Sequence, residues 1–150
     1  NSRPAFQQAL DLGVDLIELD VNWTRDRDPV IIHSTELENS AGIDKSIHDL
    51  TLKEAQQLDI GSWKGEQFAG ERILTLPEAL EFARGRTRLA VDLKSDDSIP
   101  TIVRCIQDAG MVDEVAICGC TVSRAQKVIA CDHRLGRSPG GGGRAGPVDA

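Results

Sequence analysis

Val14-Asp15-Leu16-Ile17-Glu18-Leu19-Asp20-Val21 is a short apolar run that carries two carboxylates two residues apart near its end. Side chains alternate between the two faces of a strand, so Glu18 and Asp20 share a face. Thirteen residues after Asp20 a second apolar run, Val30-Ile31-Ile32, ends in His33. A third, Leu89-Ala90-Val91-Asp92-Leu93-Lys94, ends in an acid and a cation that again share a face. Acids, a base and a cation thus stand at the C-terminal ends of β-like segments. That end is where a parallel α/β barrel gathers its functional groups.

The composition narrows the function classes. At 150 residues the chain can bury one core. A full eight-stranded barrel needs roughly 200 to 250 residues, so the chain is short for a complete one. A net charge of −7, with no basic stripe, argues against binding to nucleic acid. Only 3% of residues are aromatic, too few for a base-stacking platform. No run approaches the roughly 20 apolar residues of a membrane span. No signal peptide is visible, which only slightly favours a cytoplasmic over a secreted or periplasmic location and leaves the location open. Cys105, Cys118, Cys120 and Cys131 form no CxxC pair and read as idle thiols rather than a disulfide framework.

Along the chain, helical spacing at Ala5, Phe6, Ala9 and Leu10 predicts a helix over 5–12, with Gly13 as its C-terminal stop. Strands are expected at 14–21 and 30–33. The link between them, which includes Thr24-Arg25-Asp26-Arg27-Asp28-Pro29, is too short for a crossover helix, so strand–helix alternation breaks here. Residues 35–73 read as an irregular excursion with a short helix at 52–59, opened by the capping box Thr51-Leu52-Lys53-Glu54. A second box, Thr75-Leu76-Pro77-Glu78, opens a helix over 76–84. A strand at 88–94, a helix from Ser98 and Pro100 to about Gly110, a strand at 115–118 and a helix at 123–131 follow. From Gly136 the sequence turns Gly-rich and is expected to be disordered over 136–150.

Glu18, Asp20 and Asp92 are candidate ligands for a hard cation, Ca²⁺ or Mg²⁺ rather than zinc, because no histidine or cysteine accompanies them. Lys94 can neutralise a phosphate or hold a carboxylate. His33 is the candidate for proton transfer. Plainer readings stand beside these. A Glu-x-Asp pair can be a solvated strand face, a histidine closing an apolar run can be structural, and Asp-x-Lys can be a surface ion pair. The functional reading draws on coincidence, since all three groups lie in phase with inward positions such as Leu16, Ile31 and Ala90. His48 is expected to be exposed. Trp63, in Gly61-Ser62-Trp63-Lys64-Gly65, either lines a pocket mouth or packs the excursion. Zinc at Cys118, Cys120, Cys131 and His133 is disfavoured by the single residue between the first pair.

At these residues the chain resembles the glycerophosphodiester phosphodiesterase family. The family's pattern is His-Arg-Gly, Glu-Asn-Thr, Ala-Phe, Gly-x-Asp-x-x-Glu-x-Asp-Val, Thr-x-Asp, a strand ending His-Asp, Ile-Pro-Thr-Leu-x-Glu-x-Leu, and a strand ending Glu-x-Lys. Here the matching stretches are Asn1-Ser2, Ala5-Phe6, Gly13 to Val21, Thr24-Arg25-Asp26, Ile32-His33-Ser34, Ile73 to Leu80 and Asp92-Leu93-Lys94. The resemblance covers roughly residues 1–131. It implies a (β/α)8 barrel of the phosphodiesterase type, here partial and truncated at both ends, with residues 1–135 as the barrel domain and 35–73 as the family's insertion.

It also implies divalent-metal-dependent hydrolysis of glycerophosphodiesters to glycerol 3-phosphate and an alcohol. Glu18, Asp20 and Asp92 would be metal ligands, His33 one of two acid/base histidines, and Lys94 the lysine beside the phosphate. The glycerol 2-hydroxyl would attack first, giving a cyclic phosphate that water opens. The departures are specific. The His-Arg-Gly part would precede Asn1, Ser34 stands for the usual Asp, and the later strands are replaced by the Gly-rich tail. Asp92 stands for Glu, as in the related phospholipase-D toxins. An incomplete chain of this kind is expected to be inactive by itself. A phospholipase-D-type relative and a noncatalytic phosphate- or metal-binding domain are the alternatives.

Overall fold

The computed structural model describes residues 1–33, 36–96 and 98–136. The expected disorder of the tail and the Ser34 substitution therefore fall outside the described residues, except that Gly136 closes a 3-10 turn, His133–Gly136. The elements are α1 (Arg3–Asp11), β1 (Leu16–Trp23), β2 (Pro29–Ile31), α2 (Glu36–Ala41), α3 (Leu52–Ala55), β3 (Leu74–Thr75), α4 (Leu76–Ala83), β4 (Arg88–Leu93), α5 (Ile99–Asp108), β5 (Val115–Cys118) and α6 (Val122–Cys131).

The five strands form one sheet in the order β3-β2-β1-β4-β5. β1 pairs parallel with β4, and β4 parallel with β5. β2 runs antiparallel to β1, and β3 antiparallel to β2. The short link after β1 explains the reversal, because a hairpin can close over few residues and a parallel crossover cannot. In the turn, Thr24 donates its hydroxyl to Asp26 Oδ1 at 2.6 Å and its amide to the Asp28 carbonyl at 3.0 Å.

One face of the parallel strands is apolar. Ile17, Leu19, Val21, Leu89, Val91 and Leu93 are buried there against residues of α4 and α5, including Leu80, Ile102 and Ile106. Full burial of each such side chain stabilises the fold by about 1.5–3 kcal/mol. A second, smaller core forms where Val30 and Ile32 meet Leu37, Ile47, Leu50, Ala55 and Ile73. The segment after His33 is thus packed around its own apolar centre.

The helix starts are encoded locally. Thr51 and Glu54 cap α3 reciprocally, and Thr75 and Glu78 do the same for α4. Gly13, just past α1, takes φ +73°, a left-handed turn that L side chains resist. Three features differ from the sequence expectations. The helix expected over 52–59 is α-helical only over Leu52–Ala55, and its last residues continue as turns. Ser98 precedes α5 but makes no capping hydrogen bond through its side chain. His48 is half-buried rather than exposed, because its ring lies 4.3 Å from that of Trp23 and its Nδ1 meets the Trp23 carbonyl at 2.8 Å.

Candidate active site

The other face of the parallel strands carries the polar groups. Register places Asp20 beside Asp92, and Asp92 beside Cys118. Glu18 lies one pleat below, beside Ala90, whose small side chain leaves room above the sheet. Carboxylate oxygens of Glu18, Asp20 and Asp92 all lie within 4.8 Å of one another. Among the described residues this is the one group of three or more His, Cys, Asp or Glu side chains close enough to hold a metal ion. The cysteines and His133 do not form another.

Lys94, just beyond β4, inserts its ammonium between two of these acids. Its Nζ lies 2.6 Å from Asp20 Oδ1 and 2.5 Å from Asp92 Oδ2. Asn1 grips Asp20 from the other side: its Nδ2 donates to Asp20 Oδ2 at 2.8 Å, and its Oδ1 accepts the Asp20 amide at 3.0 Å. Sequence reasoning quoted Asn1 within a motif but gave it no role. Nothing local marks it, because its partner is 19 residues away.

The electrostatics follow from this crowding. Burial, then repulsion from Asp20 and Asp92, pushes the Glu18 carboxyl above its usual range. Burial also pushes Asp20 upward, but hydrogen bonds from Lys94 and Asn1 outweigh it and leave that carboxyl below its usual range. Attraction to His33 acts in the same direction. The Lys94 ammonium is held well above its ordinary value by its bonds to Asp20 and Asp92. Burial, then Asp92 and Glu18, pushes the Cys118 thiol up to about 11, so it stays protonated and unreactive at neutral pH.

His33 follows the end of β2, so the alternation that its sequence phase assumes does not extend to it. Ile31 pairs with Val21 and belongs to the helix-side core, so it does not share the acids' face. β2 ends at Ile31, and because it runs antiparallel it leads the chain back toward Asp20. The Ile32 amide donates to the Asp20 carbonyl at 3.0 Å, which places His33 one residue beyond Asp20's own backbone bond.

A cavity of about 400 Å³ adjoins Asn1 and Ile32, lined also by Pro4, Ala5, Trp63 and Phe68. Trp63 is half exposed and donates its indole N–H to the Ile60 carbonyl at 3.0 Å. Of the two readings open for it, the pocket lining is the one observed.

Chemically, three carboxylates against one ammonium leave the cluster net negative, and its possible ligand atoms are all carboxylate oxygens. Such a donor set suits a hard divalent cation rather than zinc. The sequence matches the Glycerophosphoryl diester phosphodiesterase family over residues 1–136. The chain belongs to that family.

A glycerophosphodiester phosphodiesterase of Caldanaerobacter subterraneus is 41% identical over 96 residues, which are 63% of this chain and 40% of the relative. Among solved structures, a glycerophosphodiester phosphodiesterase from Agrobacterium tumefaciens superposes with a TM-score of 0.79 at 27% identity, over 87% of this chain and 56% of that one. A phosphodiesterase from Oleispira antarctica, solved with the product sn-glycerol-3-phosphate, gives a TM-score of 0.73 at 25% identity, over 87% and 56%. The chain therefore spans about half the length of the relatives it matches. Its fold is part of a phosphodiesterase-type (β/α)8 barrel, as the sequence pattern implied.

Proposed function

We propose that this chain forms part of the active site of a divalent-cation-dependent glycerophosphodiester phosphodiesterase of lipid metabolism. The intact protein releases glycerol 3-phosphate and an alcohol from a small-molecule diester. The observation that carries this reading is the convergence of Glu18, Asp20 and Asp92 on one strand face with Lys94 between two of them. Family membership supports the same reaction.

Glu18, Asp20 and Asp92 would hold a Ca²⁺ or Mg²⁺ ion, whose charge when bound neutralises phosphoryl oxygens and raises the acidity of an attacking hydroxyl. Lys94 adds a fixed positive charge for the phosphate as negative charge builds on its oxygens. His33 moves a proton, either from the attacking hydroxyl or to the departing alkoxide. Asn1 holds Asp20 in place with one hydrogen bond to its carboxylate and one from its backbone amide. Loss of a positioned proton-transfer group costs about 10² to 10⁴ in rate.

The test follows phosphorus by NMR in a mixture of the intact protein, glycerophosphocholine and Mg²⁺ or Ca²⁺. Glycerol 3-phosphate as the product supports the reading, and phosphocholine would exclude it. Asp92 in place of glutamate favours a second reading, a phospholipase-D-type relative. Faster turnover of lysophosphatidylcholine than of glycerophosphocholine would select that one.

A further inference from the structure

The carboxylate of Asp92 rests against the α-carbon of Gly119, so a larger residue there would force that carboxylate to move. A β-carbon built on Gly119 would lie 1.7 Å from Asp92 Oδ1 and 2.7 Å from its Cγ. Gly119 also takes φ +63°, a left-handed conformation that a side chain resists. Two independent constraints therefore fall on one residue, and only one of them involves Asp92.

The turn that carries Gly119 is tied to the strand that carries Asp92. Arg124, in the first turn of α6, donates from Nη1 to the Gly119 carbonyl at 3.1 Å and to the Leu93 carbonyl. Its Nε donates to Asp96 Oδ1 at 2.7 Å, and Lys127 Nζ meets Asp96 Oδ2 at 2.6 Å. One guanidinium thus joins the end of β4, the segment after Lys94 and the turn after β5. A planar fork of fixed donors suits such a bridge, which a lysine could not make in full.

We propose that Gly119 is a positioning residue for Asp92: the bare turn Cys118-Gly119-Cys120, pinned by Arg124, is the seat that holds the carboxylate beside Asp20. The functional consequence rests on the metal-ligand reading of Asp92. Outer-shell contacts of this kind typically change metal affinity by about 10- to 100-fold when lost.

The experiment titrates the intact protein with Mg²⁺ and Ca²⁺ by calorimetry, as wild type, Gly119→Ala, Gly110→Ala, Asp92→Asn and the double variant Asp92→Asn/Gly119→Ala. Gly110 is the control, because it has φ +67° and nothing within 4 Å of an added β-carbon. It shares the backbone strain without the collision. Gly119→Ala is expected to weaken divalent binding by about tenfold or more. Gly110→Ala is expected to stay within about twofold of wild type, and Gly119→Ala to add no more than about twofold to Asp92→Asn, because its effect runs through Asp92.

Wild-type affinity in Gly119→Ala, an equal loss in Gly110→Ala, or a full additional loss in the double variant would overturn the inference. If Asp92→Asn alone bound divalent ions normally, the ligand role of Asp92 would fail, and the seat would be judged from crystals of Gly119→Ala. There, displacement of the Asp92 carboxylate by about 1 Å, enough to matter to a site of this kind, supports the inference, and an unmoved carboxylate overturns it.

Discussion

Asp20 is where the site's contacts meet. It is hydrogen-bonded by Asn1 through both side chain and backbone, ion-paired with Lys94 and registered beside Asp92. Replacing Asn1 with alanine removes two donor–acceptor contacts without touching a carboxylate. Divalent affinity, measured by calorimetry, is expected to fall about tenfold, as for other lost outer-shell partners. An unchanged affinity would show that Lys94 alone orients Asp20. Far from this cluster, Asp132 is buried and accepts from Arg134 Nη2 at 2.7 Å and Gln107 Nε2 at 3.0 Å. These bonds, Arg134 first, hold its carboxyl well below the usual range. A depressed folded-state value gives stability that is complete above the unfolded value, about 4, and is lost as pH falls through the folded one. Urea unfolding at about pH 6 and about pH 3 should therefore show the gap between wild type and Asp132→Asn narrowing at the lower pH. A gap that does not change would contradict the assignment.

At the scale of elements, what was legible in the sequence was what local chemistry encodes. The capping boxes Thr51–Glu54 and Thr75–Glu78 predicted two helix starts that the structure contains. Thr75→Ala should accordingly cost about 1 kcal/mol in thermal or urea unfolding, since it removes the acceptor for the Glu78 amide. A loss of nearly zero would mean that Pro77 and the buried Leu76 and Leu80 fix α4 without the cap. The alternation around Glu18, Asp20 and Asp92 correctly put these acids on one face, because parallel register between β1 and β4 depends on the same period. Elements built by distant partners were not legible. β1 continues to Trp23 because Asn22 and Trp23 pair with Val30 and Pro29, a hairpin contact that the run ending at Val21 does not announce. α2, Glu-Leu-Glu-Asn-Ser-Ala, has Leu37 as its one large apolar residue and so no helical period to read. β3 is two residues long, too short to show alternation. The face of His33 was not legible by alternation, because β2 stops at Ile31 before the alternation reaches it.

Over the whole molecule, the apolar surface is uneven. Leu12 is 77% exposed, and Val14 and Leu16 beside it lie open at the start of β1; Val122 and Ile129 are open on α6. Exposed apolar groups and unpaired strand edges invite association. The 150-residue chain on its own is expected to self-associate with rising concentration in light scattering, and a monomer at every concentration would contradict that. No described helix is long and apolar enough to cross a membrane. The central claim is that Glu18, Asp20 and Asp92 form one divalent-cation centre serving phosphodiester hydrolysis. Its most direct test is a calorimetric titration of the intact protein with Mg²⁺ and Ca²⁺, wild type against Asp20→Ala, with glycerophosphocholine turnover followed at each cation concentration. The account predicts saturable binding that rises together with turnover in the wild type, and loss of both in the variant. Equal divalent binding in the two proteins, or wild-type turnover that persists in excess chelator, would contradict it.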